Sequence, residues 1–148
     1  MITRFDVVRA ARGLIGTPYH HQASVKGVGC DCIGVVVLTA VECHMPEAHA
    51  WLRDVRRFSY TREPDPKMLL EAADEYLVEI PTTQMRMGDI PLMRAVNGTQ
   101  PMHFGILSSD NPRYLVHAFA PARKVVENGF EREYAPLTLR AYRYRALT

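Results

Sequence analysis

The sequence has no hydrophobic stretch long enough to cross a bilayer. Its longest apolar run, Ile33 to Val41, falls well short of the roughly 20 residues that a membrane helix needs. It has no excess of charge either. Lys and Arg number 18 against 16 Asp and Glu, which leaves +2, too little to point to nucleic acid as a partner. Cysteine is sparse, at 3. The count is odd, and two of the three sit as Cys30-Asp31-Cys32, too close for easy disulfide geometry, so the chain is no disulfide framework. The N-terminus lacks the apolar centre of a secretory signal, because Arg4, Asp6, Arg9 and Arg12 interrupt it. There is no internal repeat and no low-complexity tract. What remains is a soluble chain of 148 residues, read as one domain over 1–148 with a single core.

Helix signals dominate the first half. Thr3 followed by Asp6 has the form of a capping box. Phe5, Val8, Ala11, Leu14 and Ile15 then recur at helical spacing, with Gly16 to close the helix and Pro18 just beyond it. A loop from Thr17 to Gly29 leads to Asp31, a good N-cap for a second helix over 32–41. The β-branched Val35-Val36-Val37 also suits a buried strand, but the apolar run continues through Leu38, Ala40 and Val41, which favours a central helix. A short helix over 48–53 follows, then irregular structure with Trp51, Phe58 and Tyr60 as anchors and Pro46, Pro64 and Pro66 as breakers. Asp65-Pro66 opens another helix carrying Leu69, Leu70, Ala73, Tyr76 and Leu77.

Strand signals dominate the second half. Gly88-Asp89 opens a strand in which Pro91 argues for an edge or a bulge, and Asn97-Gly98 marks a hairpin. Strands are expected over 102–108, 114–120, 124–126 and 138–147, with turns at Asp110-Asn111-Pro112 and Asn128-Gly129. The last strand alternates Arg140, Arg143 and Arg145 with Tyr142 and Tyr144 and reads as an edge strand with a charged face. Helices first and an antiparallel meander second make an α+β layout.

One junction carries the chemistry. The polar, turn-rich Gly16-Thr17-Pro18-Tyr19-His20-His21-Gln22 gives way to the apolar run, and Cys32 sits where they meet. A thiol at a helix N-terminus meets partial positive charge, which favours the thiolate; taken alone, a cysteine in such a place is more often a small core residue. A nucleophilic cysteine needs an imidazole, and the imidazole needs something to orient it. Of the 6 histidines, His103 and His117 fall on expected strands. His103 shares a face with Gly105 and Leu107, and His117 with Leu115 and Phe119. Those companions predict both imidazoles on the helix-covered side of the sheet, against the Cys32 helix. A zinc cluster of Cys30, Cys32, His20 and His21 is the competing chemistry, but the spacing lacks the pairs of a structural zinc site.

Taken in order, these stretches resemble the NlpC-type cysteine peptidases of bacterial cell walls, a branch of the papain-like superfamily. The residues that carry the resemblance are Gly16-Thr17-Pro18-Tyr19, Asp31-Cys32-Ile33-Gly34-Val35-Val36, Gly88-Asp89-Ile90-Pro91-Leu92-Met93, His103-Phe104-Gly105-Ile106 and Val116-His117-Ala118. The family usually has Ser after the cysteine, where this chain has Ile33, and Cys30 is extra. The resemblance implies a papain-like α+β fold with the nucleophile at a helix N-terminus packed on an antiparallel sheet. It implies Cys32 as nucleophile, His103 as general base, His117 as the group that orients it, and Tyr19 at the substrate or the oxyanion. No metal and no cofactor is implied. The implied substrate is the peptidoglycan stem peptide, cut between D-γ-glutamyl and the diamino acid. The opening stretch looks most like members from phage tails and gene transfer agents. That implies a protein made in the bacterial cytoplasm, assembled with tail-tip or hub proteins and acting on the cell wall. The alternatives are a structural tail-tip subunit with a latent or lost site, and an amidase on the same fold.

Overall fold

Local capping chemistry sets where the helices begin in the computed structural model, which describes residues 1–57 and 65–147. Helix α1 spans Arg4–Arg12 and opens on the expected capping box. Thr3 Oγ1 accepts from the Asp6 N–H, and the Thr3 N–H donates to the Asp6 carboxylate at 2.8 Å. The helix ends sooner than its spacing suggests, at a Gly13 cap, and Gly16 turns the chain with φ 90°. Its buried stripe runs through Val7, Val8 and Ala11; Phe5 falls off that stripe and is exposed.

Helix α2 spans Cys32–Glu42, with Asp31 as its N-cap accepting from the Gly34 N–H at 2.8 Å. It is buried nearly all round, and packs against α1, α3 and the sheets. Val35, Val36 and Val37 are each worth about 1.5–3 kcal/mol by burial. Gly34 is required here: a Cβ would sit 2.8 Å from Cys30 Sγ and 2.9 Å from the Ala23 carbonyl oxygen. Cys30, fully buried against Gly34, therefore packs the helix start. Helix α3 spans Ala48–Arg57, longer than expected, and α4 spans Pro66–Tyr76 behind its Asp65 cap. Phe58, Tyr60 and Pro64 lie outside the described residues.

The loop before α2 holds a small hairpin of β1 (Ser24–Val25) and β2 (Gly29–Cys30). The main strands are β3 (Leu77–Ile80), β4 (Ile90–Arg94), β5 (Pro101–Phe104), β6 (Ile106–Leu107), β7 (Tyr114–Phe119), β8 (Lys124–Gly129) and β9 (Thr138–Tyr144). The α+β class holds, but the meander does not. The orders are β3-β9-β4-β5 and β6-β7-β8, so the last strand inserts between β3 and β4. It is an interior strand, because Ala141, Tyr142 and Tyr144 are buried and its Arg143 has a buried partner. Strand β4 is interior too. The Pro91 carbonyl accepts from Gly105 N–H at 3.4 Å, so the proline nitrogen faces the gap where β5 gives way to β6 and breaks no ladder.

That gap divides what the sequence suggests is one strand over 102–108. Gly105 stands at the break, where a Cβ would meet Leu115 Cδ1 at 2.4 Å. The two sheets continue each other there, since Leu107 N–H donates to the Asp89 carbonyl at 2.9 Å and Gly88 N–H to the Leu107 carbonyl at 2.7 Å. Asp89 is fully buried and fastens three parts of the chain. Both its oxygens accept from Arg143, at 2.8 Å each, one accepts from Arg4 at 3.0 Å, and the other from the Arg86 N–H at 2.9 Å. The Gly-Asp stretch is thus a structural lock between α1, β4 and β9.

Candidate active site

Asp31 fixes the direction of the first turn of α2, and with it the Cys32 thiol. The sulfur faces the main chain of β5, with the Met102 carbonyl oxygen 4.0 Å away. The N–H groups of Phe104, Ile33 and Cys32 itself also lie close enough to favour the thiolate. Met102 and Phe104 flank His103, so the thiol sits over the strand position that carries the imidazole. Hairpin pairing then sets the rest. His103 Nε2 lies 2.8 Å from His117 Nδ1, with the rings edge to face. His117 Nε2 lies 2.8 Å from Asn128 Oδ1. His117 is fully buried and is further fixed by Phe119 and Tyr134, whose ring centres lie 5.2 and 5.0 Å from its own.

The imidazoles share a face with the expected companions, but it is the opposite face from the one expected. Val116 and Ala118 join the cluster of the α2 valines, whereas Leu115 and Leu107 form a second cluster with Met93 and Phe130. His117 alternates with Val116 and Ala118, so it lies on the side away from α2.

A cavity of 230 Å³ opens beside the thiol. Tyr19, Asp31, Cys32 and Ile33 line one side; Trp51, Asp54, Val55, Met68, Leu69, Glu75 and Tyr76 are among those that line the other. The rings of Trp51 and Tyr76 stack with centres 4.9 Å apart, and the Tyr76 hydroxyl donates to Asp54. Asp31, Asp54, Asp65, Glu71 and Glu75 all face this space, and no Lys or Arg is among its described lining residues. Tyr19 is held at the mouth by its N–H, which donates to the Arg123 carbonyl at 2.8 Å. Burial pushes its hydroxyl pKa up, with the nearby Cys32 and Asp31 adding to the rise. Among the described residues, no group of three or more His, Cys, Asp or Glu side chains is arranged to hold a metal ion, and none of the described helices is long and apolar enough to cross a membrane.

No protein-family model matches the sequence, and comparison with curated proteins gives no match. Solved structures do match. An NlpC/P60 family protein from Bacillus cereus aligns with a TM-score of 0.65 at 17% identity, over 97% of this chain and 40% of its own. The NlpC/p60 domain of the peptidoglycan hydrolase SagA aligns with a TM-score of 0.61 at 18% identity, over 95% of this chain and 97% of that domain. The chain has the NlpC/P60 fold. An N-acetylmuramoyl-L-alanine amidase from Bacteroides uniformis shares it, with a TM-score of 0.56 at 16% identity over 95% of this chain and 98% of that one. The chain spans about two fifths of the length of the Bacillus cereus protein.

Of the four residues singled out from the sequence, Tyr19 and Cys32 line one cavity, and His103 and His117 are hydrogen-bonded to each other. The Cys32 thiol meets β5 through the main chain of Met102 and Phe104, on either side of His103. Asn128 was not singled out. Asn128-Gly129 reads as a turn, yet both residues belong to β8. Only the register, which sets Val126 opposite His117, reveals that Asn128 lies on the imidazole face.

The electrostatics differ from the expectation for a helix N-terminus. Burial, followed by the charge of Asp31, pushes the Cys32 thiol up to about 12, outweighing the three main-chain N–H groups. Burial, helped by His117, pushes His103 down to about 3. At neutral pH Cys32 is therefore a thiol and His103 a neutral imidazole. Because a raised thiol pKa keeps the proton on below it, alkylation of Cys32 by iodoacetamide should be slow at neutral pH and climb through the alkaline range. A fast rate, already flat from mildly acidic to neutral pH, would show a preformed thiolate instead.

Proposed function

We propose that the chain is a cysteine peptidase that hydrolyses an amide bond in peptidoglycan stem peptides. The observation that carries the proposal is the file Cys32–His103–His117. What supports it is a thiol beside a cavity that meets the main chain on either side of His103, and a neutral His103 imidazole hydrogen-bonded to a second imidazole. Cys32 Sγ attacks the carbonyl carbon while its proton passes to His103, and main-chain N–H groups at the start of α2 meet the oxyanion. His103 then protonates the leaving amine, and water releases the acyl group from the sulfur. Tyr19, at the cavity mouth, contacts the substrate or the oxyanion.

The bond between D-γ-glutamyl and the diamino acid follows from the sequence resemblance. The carboxylates around the cavity suit a substrate that carries an ammonium group, as a stem peptide with a diamino acid does. The opening stretch of the sequence adds a tail-borne role, with tail-tip proteins as partners and the cell wall as the place of action. Incubation of the purified chain with stem peptides, followed by mass spectrometry, tests the reading. Two fragments split at the γ-glutamyl bond are expected; stem peptides left intact would contradict it. The amidase among the structural neighbours favours a second reading, in which the cut falls at the lactyl–alanine bond; product masses from muropeptides that keep the muramoyl group separate the two.

A further inference from the structure

We propose that Asn128 is a positioning residue that sets the tautomer of both imidazoles, so that His103 presents a proton-free Nδ1 to the thiol. The inference rests on the peptidase reading of Cys32, and it concerns a residue outside the ordered motifs. Two hydrogen bonds in series carry it: Asn128 Oδ1 to His117 Nε2, and His117 Nδ1 to His103 Nε2, each 2.8 Å.

A neutral imidazole has one N–H and one lone pair, so each ring must donate from one nitrogen and accept at the other. The amide oxygen of Asn128 can only accept, which places the His117 proton on Nε2. His117 Nδ1 then carries the lone pair and accepts from His103 Nε2–H. The only site left on His103 is Nδ1, with its lone pair free for the thiol proton. Were the amide turned so that its NH₂ met His117, every proton in the file would shift one place. His103 would then carry its proton on Nδ1 and could not act as a base. With Oδ1 toward His117, the transfer balances: the Cys32 S–H bond breaks, the proton joins His103 Nδ1 as sulfur bonds to carbon, and the imidazolium keeps its Nε2–H on His117.

The surroundings leave the control to Asn128. His117 is fully buried, and the rings of Phe119 and Tyr134 close it in. Its hydrogen-bonding neighbours are His103 and Asn128, and the titratable groups facing it are His103 and Tyr134. Asn128 lies with Phe119 and Tyr134 in a separate hollow of 420 Å³ that does not include Cys32. A change at Asn128 therefore leaves the cavity beside the thiol intact.

The test is nitrogen-15 NMR of the histidine side chains, together with steady-state kinetics on stem peptides. In the wild type both His103 and His117 should carry the proton on Nε2. Asn128→Leu should mix the His117 tautomers and lower kcat by about 10²-fold, the low end of what a general base supplies, with KM unchanged. Asn128→Asp, an acceptor only, should restore the tautomer and much of kcat, and move the acid limb of the pH–rate profile upward. A wild-type His117 protonated on Nδ1 would overturn the inference. So would Asn128→Leu with wild-type kcat, or a loss of kcat that Asn128→Asp does not recover. The wild-type tautomers are read without substrate, so an enzyme inactive on stem peptides would sink the proposed function and leave this inference standing or falling on its own.

Discussion

His103→Ala should lower kcat by about 10²–10⁴-fold, the range that a positioned general base contributes. The thiol is held protonated, with a pKa pushed up to about 12, and it faces main chain rather than a cation. No other side chain of β5 is a base, since Pro101, Met102 and Phe104 carry no group that can take the thiol proton. If substrate binds in the cavity walled by α3 and α4, which His103 does not line, KM should change little. The variant leaves the buried His117 Nδ1 without its partner, at a cost of about 1–3 kcal/mol. Circular dichroism should therefore show a folded but somewhat less stable protein. Added imidazole should recover part of the rate. A folded His103→Ala protein with wild-type kcat would remove His103 from the reaction.

Asp89→Ala should destabilise the fold by about 3–5 kcal/mol, because it leaves two inward-facing guanidinium groups without their counter-charge. Arg4 and Arg143 keep only 17% and 19% of their side-chain surface exposed, and Asp89 keeps 0%. Thermal unfolding should fall by roughly 10 °C on that basis. The contrast is Glu131→Ala. Glu131 also pairs with an arginine, Arg113, at 2.6 Å, but its side chain is 50% exposed. Losing that pair should cost no more than about 1 kcal/mol. Equal melting temperatures for Asp89→Ala and the wild type would show that the buried network contributes no net stability.

The helical half of the chain was legible because its signals are local. Thr3 with Asp6, Asp31 before Cys32, and Asp65 before Pro66 each satisfy backbone N–H groups within one turn, and each cap stands where the sequence puts it. The sheet was less legible because its order is set by distant partners. The arginines of β9 read as a solvated edge until Arg143 meets Asp89, 54 residues away in sequence. Pro91 reads as an edge signal until Gly105 breaks the neighbouring strand beside it. The candidate site divides the same way. Cys32, His103 and His117 stand out because chemistry-bearing residue types recur in a recognisable order. Asn128 looks like half of a turn, and only the pairing of β7 with β8 gives it a partner. The face of the sheet that carries the imidazoles was also beyond reach. Alternation groups His117 with Leu115 and Phe119, but it does not say which group the α2 valines will cover.

The most direct measurement is digestion of stem peptides by the wild type and by Cys32→Ala, with mass spectrometry of both peptide and protein. If Cys32 is the nucleophile, the wild type releases two fragments and carries, on rapid quenching, an acyl fragment on Cys32, while Cys32→Ala releases nothing. Cleavage by Cys32→Ala at the wild-type rate would contradict it.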